Sequence, residues 1–323
     1  MKMAFCEAIA LATKEEMLRD ERVFVMGEDV GYYDGGFYAT KGLFKEFGPR
    51  RVVDTPISEA GIVGAAFGAS LAGLRPVVEV QYLEFLGYMD PLVNHVAKTH
   101  FLSGGKIKTP MVVRLPSGGK GGNASPHSQN LEAYFMHLPG VYVAMPSNPA
   151  DAKGLLKTAI RDDNPVVFIE EKLLYMSKGE VEEGDYCIPF GQANIVREGS
   201  DVTIVAMGYM VTRARIAATK LEKEGISVEI VDPRTLNPLD IGTILSSVRK
   251  TKKVIITHQA CRTGGVGAEI AAIIAEKEFD SLEKPIERVT AIDAPIAYNM
   301  KLEYVALPNE DDIVSAALKL ARK

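Results

Sequence analysis

The sequence predicts a two-domain α/β protein in which each domain is a parallel sheet covered by helices, and three observations carry that prediction. The 323 residues amount to about two domains at roughly 150 residues each. Short β-branched runs alternate with longer helical stretches, the pattern of buried strands joined by crossover helices. Between residues 171 and 200 that alternation breaks into a charged, glycine-punctuated stretch (KGEVEEGDY, then PFGQA), after which a second alternation starts. The expected domains are 1–185 and 186–323.

Residues 5–20 carry apolar side chains at helical spacing, and 23–26 (VFVM) form a strand that stops at the turn Gly27-Glu-Asp-Val-Gly31. Strands are expected at 76–80, 111–115, 141–144 and 166–170, separated by helices at 60–72, 90–101 and 150–161. The second domain repeats the order, with strands at 202–206, 228–231, 254–257 and 288–292 and helices at 212–224, 239–248, 266–276 and 311–321.

Composition excludes several classes of function. Lys plus Arg is 37 against 42 for Asp plus Glu, a net charge of −5, and no basic block could track a phosphate backbone, so nucleic acid is not an expected partner. The longest apolar run, GIVGAAFGASLAGL from Gly61 to Leu74, is shorter than the roughly 20 residues a spanning helix needs; it is expected to be a buried core helix, with no membrane association. Three cysteines, Cys6, Cys187 and Cys261, lie far apart with neither zinc nor disulfide spacing, and the N-terminus lacks a signal or transit pattern. The expectation is a cytoplasmic protein.

The common nucleotide and hydrolase signatures are missing: no GxxxxGK[ST], no complete GxGxxG, no GxSxG and no HExxH. What remains is a set of three features. Asp54-Thr-Pro-Ile-Ser-Glu59 follows a short strand and opens onto a helix, where α/β proteins place ligand groups. Glu59 is equally what an ordinary helix N-terminal acid looks like, with Ser58 as its N-cap. The glycine-rich loop Gly118-Gly-Lys-Gly-Gly-Asn-Ala-Ser-Pro-His127-Ser-Gln129 delivers one histidine after a strand, although a loop histidine, like the nearby His137, is often structural. Tyr82, Phe85 and Tyr88 form an aromatic group at a strand-to-helix transition, which core packing alone would also explain.

Taken together, the ordered motifs Gly27-Glu-Asp-Val-Gly31, Thr40-Lys-Gly-Leu43 with Phe47-Gly48, Asp54-Thr-Pro-Ile-Ser-Glu59, Gly73-Leu-Arg-Pro76, His127-Ser-Gln129 with Glu132-Ala133, and Asp151-Ala-Lys-Gly154 resemble the β subunit of thiamine-diphosphate-dependent 2-oxoacid dehydrogenases. The likeness continues through Asp232-Pro-Arg-Thr-Leu-Asn-Pro238 and Arg262-Thr-Gly-Gly-Val-Gly-Ala-Glu269, and so spans the chain. It implies an N-terminal pyrimidine-binding domain and a transketolase C-terminal-like domain. The implied activity is oxidative decarboxylation of pyruvate or a branched-chain 2-oxo acid, with acyl transfer to a lipoyl acyltransferase. Two alternatives are the acetoin-cleaving branch and a non-catalytic assembly protein of the same fold.

The resemblance also implies partners and cofactors. An α subunit, in a heterotetramer of two α and two β chains, would hold the diphosphate and Mg²⁺ through a GDG motif and an Asn pair, both absent from this sequence. Glu59 matches the carboxylate on the aminopyrimidine, Phe85 the aromatic residue on which that ring packs, and Ile57 the residue whose backbone flanks it. His127 matches the histidine on the substrate side. Met111, Ala159, Ile160, Asp162 and Asn164 match a potassium site, and Glu283 an acid that meets the acyltransferase core. One departure is the segment Leu86-Gly-Tyr-Met-Asp-Pro91, where relatives carry a Phe-Asp-Gln pattern; Gly87 and Pro91 are expected to alter the helix start there.

Overall fold

The computed structural model describes residues 1–119 and 121–321. They divide into two compact units, one of Met1–Ser117 with Tyr134–Phe190, the other of Gly118–Ala133 with the chain from Gly191 onward. The glycine-rich loop thus clusters with the C-terminal unit, an assignment that a contiguous reading of the sequence does not anticipate.

In the first unit the strands Val52–Asp54, Val23–Gly27, Arg75–Glu79, Val112–Ser117, Val166–Glu171 and Tyr142–Ala144 lie side by side in that order, every pair parallel. Val112–Ser117 and Val166–Glu171 are buried along their whole length, as strands covered on both faces must be. The helix Phe5–Arg19 packs on Pro149–Arg161. The latter starts where Pro149 occupies the first helical position and the Asn148 side chain accepts from the Asp151 N–H at 3.0 Å. A small antiparallel pair, Lys2–Ala4 with Lys178–Glu180, completes the unit.

The second unit has strands in the order Glu287–Ala291, Val254–Cys261, Val202–Ala206, Val228–Asp232 and Asn194–Arg197. The first three pairings are parallel and the last antiparallel. Asn194–Arg197 lies inside the stretch expected to be a connection; its four residues are too few and too polar to show period-2 alternation. Helices Tyr209–Lys223, Ile241–Thr251, Val266–Glu278 and Glu310–Ala321 fall where the periodicity places them, and a further helix, Met300–Ala306, was not expected.

Two local expectations need correction. The helix Glu59–Leu71 is not a buried core helix: Ile62, Val63, Ala66 and Ser70 face inward, while Gly61, Ala65, Gly68 and Leu71 lie on an exposed face. Ser58 is its N-cap by position, but its side chain makes no capping hydrogen bond. The helix expected over 90–101 begins as a π-helix, Pro91–Val96, and becomes α-helical only over Ala97–Leu102. Pro91 tolerates the first position because it has no N–H to leave unsatisfied there. Among the described residues no helix is long and apolar enough to cross a membrane.

Candidate active site

In the first unit the site forms at the carboxyl ends of three neighbouring strands. Asp54 ends its strand, and its carboxylate accepts from the N–H groups of Gly31 at 2.6 Å and Tyr32 at 3.0 Å. Thr55 donates its N–H to Gly27 O at 2.9 Å, so the turn after Val23–Gly27 and the segment before Glu59 are tied together. A Cβ on Gly31 would come within 2.8 Å of the Asp54 carboxylate, which is why glycine stands there.

Glu59 opens the helix Glu59–Leu71 half-buried, and the backbone of the next turn closes on it: a Cβ on Gly87 would lie 3.8 Å from Glu59 Oε2. The sequence reading missed its neighbour Glu28. Burial, then the charges of Glu59, Asp29 and Glu79, hold the Glu28 carboxyl above its ordinary range, and its Oε1 is buried without a hydrogen-bond partner. The Glu59 charge thus acts on the Glu28 carboxyl across the same strand-end edge. A usable signal was present, since Glu28 directly follows the strand Val23–Gly27.

Phe85 stands half-exposed at the start of the turn Leu86–Tyr88. Its ring meets Tyr82 edge-on at 5.7 Å, and Tyr82 in turn meets Phe37 at 5.9 Å, with the Lys172 ammonium 4.6 Å from the Tyr82 ring centre. Phe37 stacks on Tyr175 at 4.6 Å, and the Tyr175 hydroxyl donates to Glu170 at 2.7 Å. The aromatic edge therefore rests on a buried ionic cluster. Tyr88 is different in kind: it is fully buried, stacked on Phe135, and donates its hydroxyl to Leu83 O at 2.7 Å. Burial pushes its phenol well up, as expected of a core residue. The Ile57 side chain is 79% exposed, so it lines no wall within this chain.

The five residues expected at a potassium site lie away from this edge, toward the starts of the strands. Arg75 begins its strand, and its Nη1 donates to Ile160 O at 3.0 Å and Asp162 O at 2.7 Å. The Asp162 carboxylate accepts from Asn164 N and Nδ2 at 2.8 and 2.9 Å, and Met111 O accepts from Val166 N at 2.9 Å. Ile160 O and Asp162 O each keep a second lone pair, so a potassium ion would share these two oxygens with a fixed guanidinium. Among the described residues no group of three or more His, Cys, Asp or Glu side chains is placed to hold a metal.

In the second unit His127 closes the short turn Ser125–His127, half-buried, with its N–H on Ala124 O at 3.1 Å. The loop is anchored at its base by Gly118 N on Gln129 O at 3.0 Å; Lys120, part of the glycine-rich motif, lies outside the described residues. Beyond it Glu132 is completely buried, and burial pushes its carboxyl up to about 7 against the opposing hydrogen bonds of its own backbone and of Asn130. Glu283 is an exposed acid on a loop, paired with Lys252 at 3.2 Å. His137 is exposed and belongs to the first unit.

Comparison with known proteins adds an independent line. The family model "Transketolase, pyrimidine binding domain" matches residues 1–178, and "Transketolase, C-terminal domain" matches 191–313. The pyruvate dehydrogenase E1 component subunit beta of Rickettsia felis is 47% identical over 321 residues, covering 99% of this chain and 98% of that protein. The mitochondrial counterpart from Dictyostelium discoideum is 43% identical over 322 residues, covering 98% and 90%. Among solved structures, a split gene transketolase described as an inactive beta4 tetramer superposes with a TM-score of 0.80 at 25% identity, covering 98% of both chains.

Proposed function

The chain belongs to the family of pyruvate dehydrogenase E1 component β subunits, with pyrimidine-binding and C-terminal transketolase domains in that order, and on that premise we propose that it is the β half of a thiamine-diphosphate-dependent dehydrogenase acting on pyruvate. The observation that carries the proposal is Glu59, half-buried at a strand-to-helix turn, with the orphaned carboxylate oxygen of Glu28 as its neighbour and the open backbone of Gly87 beside it.

These residues fit the aminopyrimidine ring. A ring nitrogen needs a carboxylate that can share a proton, the orphaned buried oxygen of Glu28 needs a partner, and Phe85 presents a half-exposed face. When bound, thiamine diphosphate would supply a carbanion-stabilising thiazolium for decarboxylation of a 2-oxo acid. Glu59 would hold the aminopyrimidine by a hydrogen bond to its ring nitrogen N1′ and so support proton transfer there. Burial and the neighbouring charges of Glu59, Asp29 and Glu79 hold the Glu28 carboxyl above its ordinary range beside it. Phe85 would orient the ring and the Ile57 backbone would flank it. His127 donates toward negative charge developing on the substrate oxygen, or assists acyl transfer to the lipoyl group.

The proposal extends to the assembly. An α subunit contributes the diphosphate and Mg²⁺ site, for which this sequence holds no motif, in a heterotetramer of two α and two β chains. Residues 1–185 take the cofactor role and 186–323 the assembly role, with Glu283 meeting a lipoyl acyltransferase core. A potassium ion would be held by backbone carbonyls at Met111, Ala159, Ile160, Asp162 and Asn164, sharing Ile160 O and Asp162 O with Arg75, and the three free cysteines suit a reducing cytoplasm.

The test is dye-linked oxidation of pyruvate, 2-oxoisovalerate and acetoin, with thiamine diphosphate and Mg²⁺, by this chain alone and with the α subunit encoded beside it. Pyruvate turnover only in the mixture is the expected result. Turnover by the isolated chain would overturn the divided site, acetoin cleavage without pyruvate oxidation would overturn the substrate, and an inert assembled complex would favour a non-catalytic role.

A further inference from the structure

The loop that carries His127 is rich in glycine, and Gly118, Gly121 and Gly122 all adopt positive φ, at 80°, 91° and 88°. Such a segment loses more conformational entropy on ordering than any other composition, so something must hold it in one arrangement. Glu303 is placed to do so. It lies on the helix Met300–Ala306, whose start is capped by the Asn299 side chain accepting from Lys301 N at 2.9 Å, and it is 4% exposed. Its two carboxylate oxygens each take one backbone N–H from the loop: Gly121 donates to Oε1 at 3.0 Å and Gly122 to Oε2 at 2.5 Å.

The fit leaves no room for a side chain at Gly119 and little at Gly122. A Cβ on Gly119 would lie 2.4 Å from Glu303 Oε1 and 2.7 Å from Leu307 Cδ1, and one on Gly122 would lie 3.2 Å from Tyr298 O. A second tie follows at Ser125, whose hydroxyl donates to Ile296 O at 2.6 Å. His127 comes at the end of the turn that Ser125 begins. The imidazole therefore inherits its position from a loop clamped by residues 296–303, and the charged part of that clamp is Glu303.

We propose that Glu303 is a positioning residue for the reaction, which fixes the place of His127 by gathering the N–H groups of Gly121 and Gly122. The inference rests on the reading of His127 as a group at the substrate.

The experiment is a double-mutant cycle in the reconstituted α/β enzyme with Glu303→Ala, Glu303→Gln, His127→Ala and the double variant Glu303→Ala/His127→Ala. Glu303→Ala is expected to lower kcat about 10- to 100-fold, the scale of a misplaced group, with KM for pyruvate and affinity for thiamine diphosphate changed less than about twofold. Glu303→Gln, which keeps one acceptor oxygen and the same volume, is expected to recover part of that loss and serves if the alanine variant does not fold. In the His127→Ala background Glu303→Ala should cost less than about twofold more. Amide hydrogen exchange across the loop should rise at least about tenfold in Glu303→Ala, since the N–H groups lose a charge-assisted acceptor. Unchanged kcat in both Glu303 variants, or the same fold-loss with and without His127, would overturn the proposal. Full activity in His127→Ala alone would overturn the reading beneath it, and the single variant reveals that before Glu303 is touched.

Discussion

Replacing Arg114 by methionine should destabilise the first unit by an amount that grows with pH. The guanidinium is 1% exposed and serves two carboxylates, donating from Nε and Nη2 to Glu170 at 2.6 and 2.7 Å and from Nη1 to Glu79 at 2.6 Å. Burial opposes the Arg114 charge, yet Glu170 and Glu79 together hold its pKa above the ordinary range. Burial likewise pushes Glu79 above its ordinary 4.5, and Arg114 opposes that rise. Without Arg114 the least costly escape is for Glu79 to take up a proton and share it with Glu170. Protonating a carboxyl of ordinary pKa 4.5 costs about 4 kcal/mol at pH 7.5 and about 1.4 kcal/mol at pH 5.5, at 1.36 kcal/mol per unit. The loss expected at pH 7.5 is therefore about 4 kcal/mol, within the range for breaking a buried ion pair. The sign agrees with linkage: a carboxyl raised in the folded state stabilises most below its unfolded pKa and loses that contribution as pH climbs. Urea unfolding of the wild-type chain and Arg114→Met at pH 5.5 and 7.5 measures both numbers. A loss under about 1 kcal/mol at pH 7.5, or an equal loss at both values, would refute the reasoning.

Three further outcomes are expected. Glu59→Gln should reduce pyruvate turnover by the reconstituted enzyme about 10²- to 10⁴-fold, the range for a positioned proton-transfer group, while leaving the melting temperature within a degree or two; undiminished turnover would remove Glu59 from the site. Glu132, raised by burial from 4.5 to about 7, costs stability progressively as pH rises between those values, so Glu132→Gln should gain on the wild type by about 3 kcal/mol at pH 8 and by little at pH 4.5; parallel stability curves would contradict this. Gly140→Ala, where φ is +100° and a Cβ would fall 2.0 Å from Ala97 O, should cost at least about 3 kcal/mol in denaturant unfolding, and a cost below 1 kcal/mol would mean the loop moves aside.

Much of the architecture follows from the sequence by itself. Alternating apolar runs and helical spacing determine two parallel-sheet units, because strands buried on both faces read as mostly apolar runs. The strand-to-helix turn at Glu59 is legible for the same local reason, and ordered motifs along the whole chain identify the family. What the sequence could not show is which polar groups go inside. Arg114, Glu79 and Glu170 look like surface residues on paper, and only the sheet register that brings three strands together makes them a single buried cluster. Glu28 acquires its meaning from Glu59, through the pairing of Val23–Gly27 with Val52–Asp54. Glu303 lies 182 residues from Gly121, beyond the reach of any spacing rule. Periodicity reports the solvent that each segment avoids, whereas a hydrogen bond or ion pair depends on a partner at a stated distance and angle, and that partner is chosen only when the chain has folded.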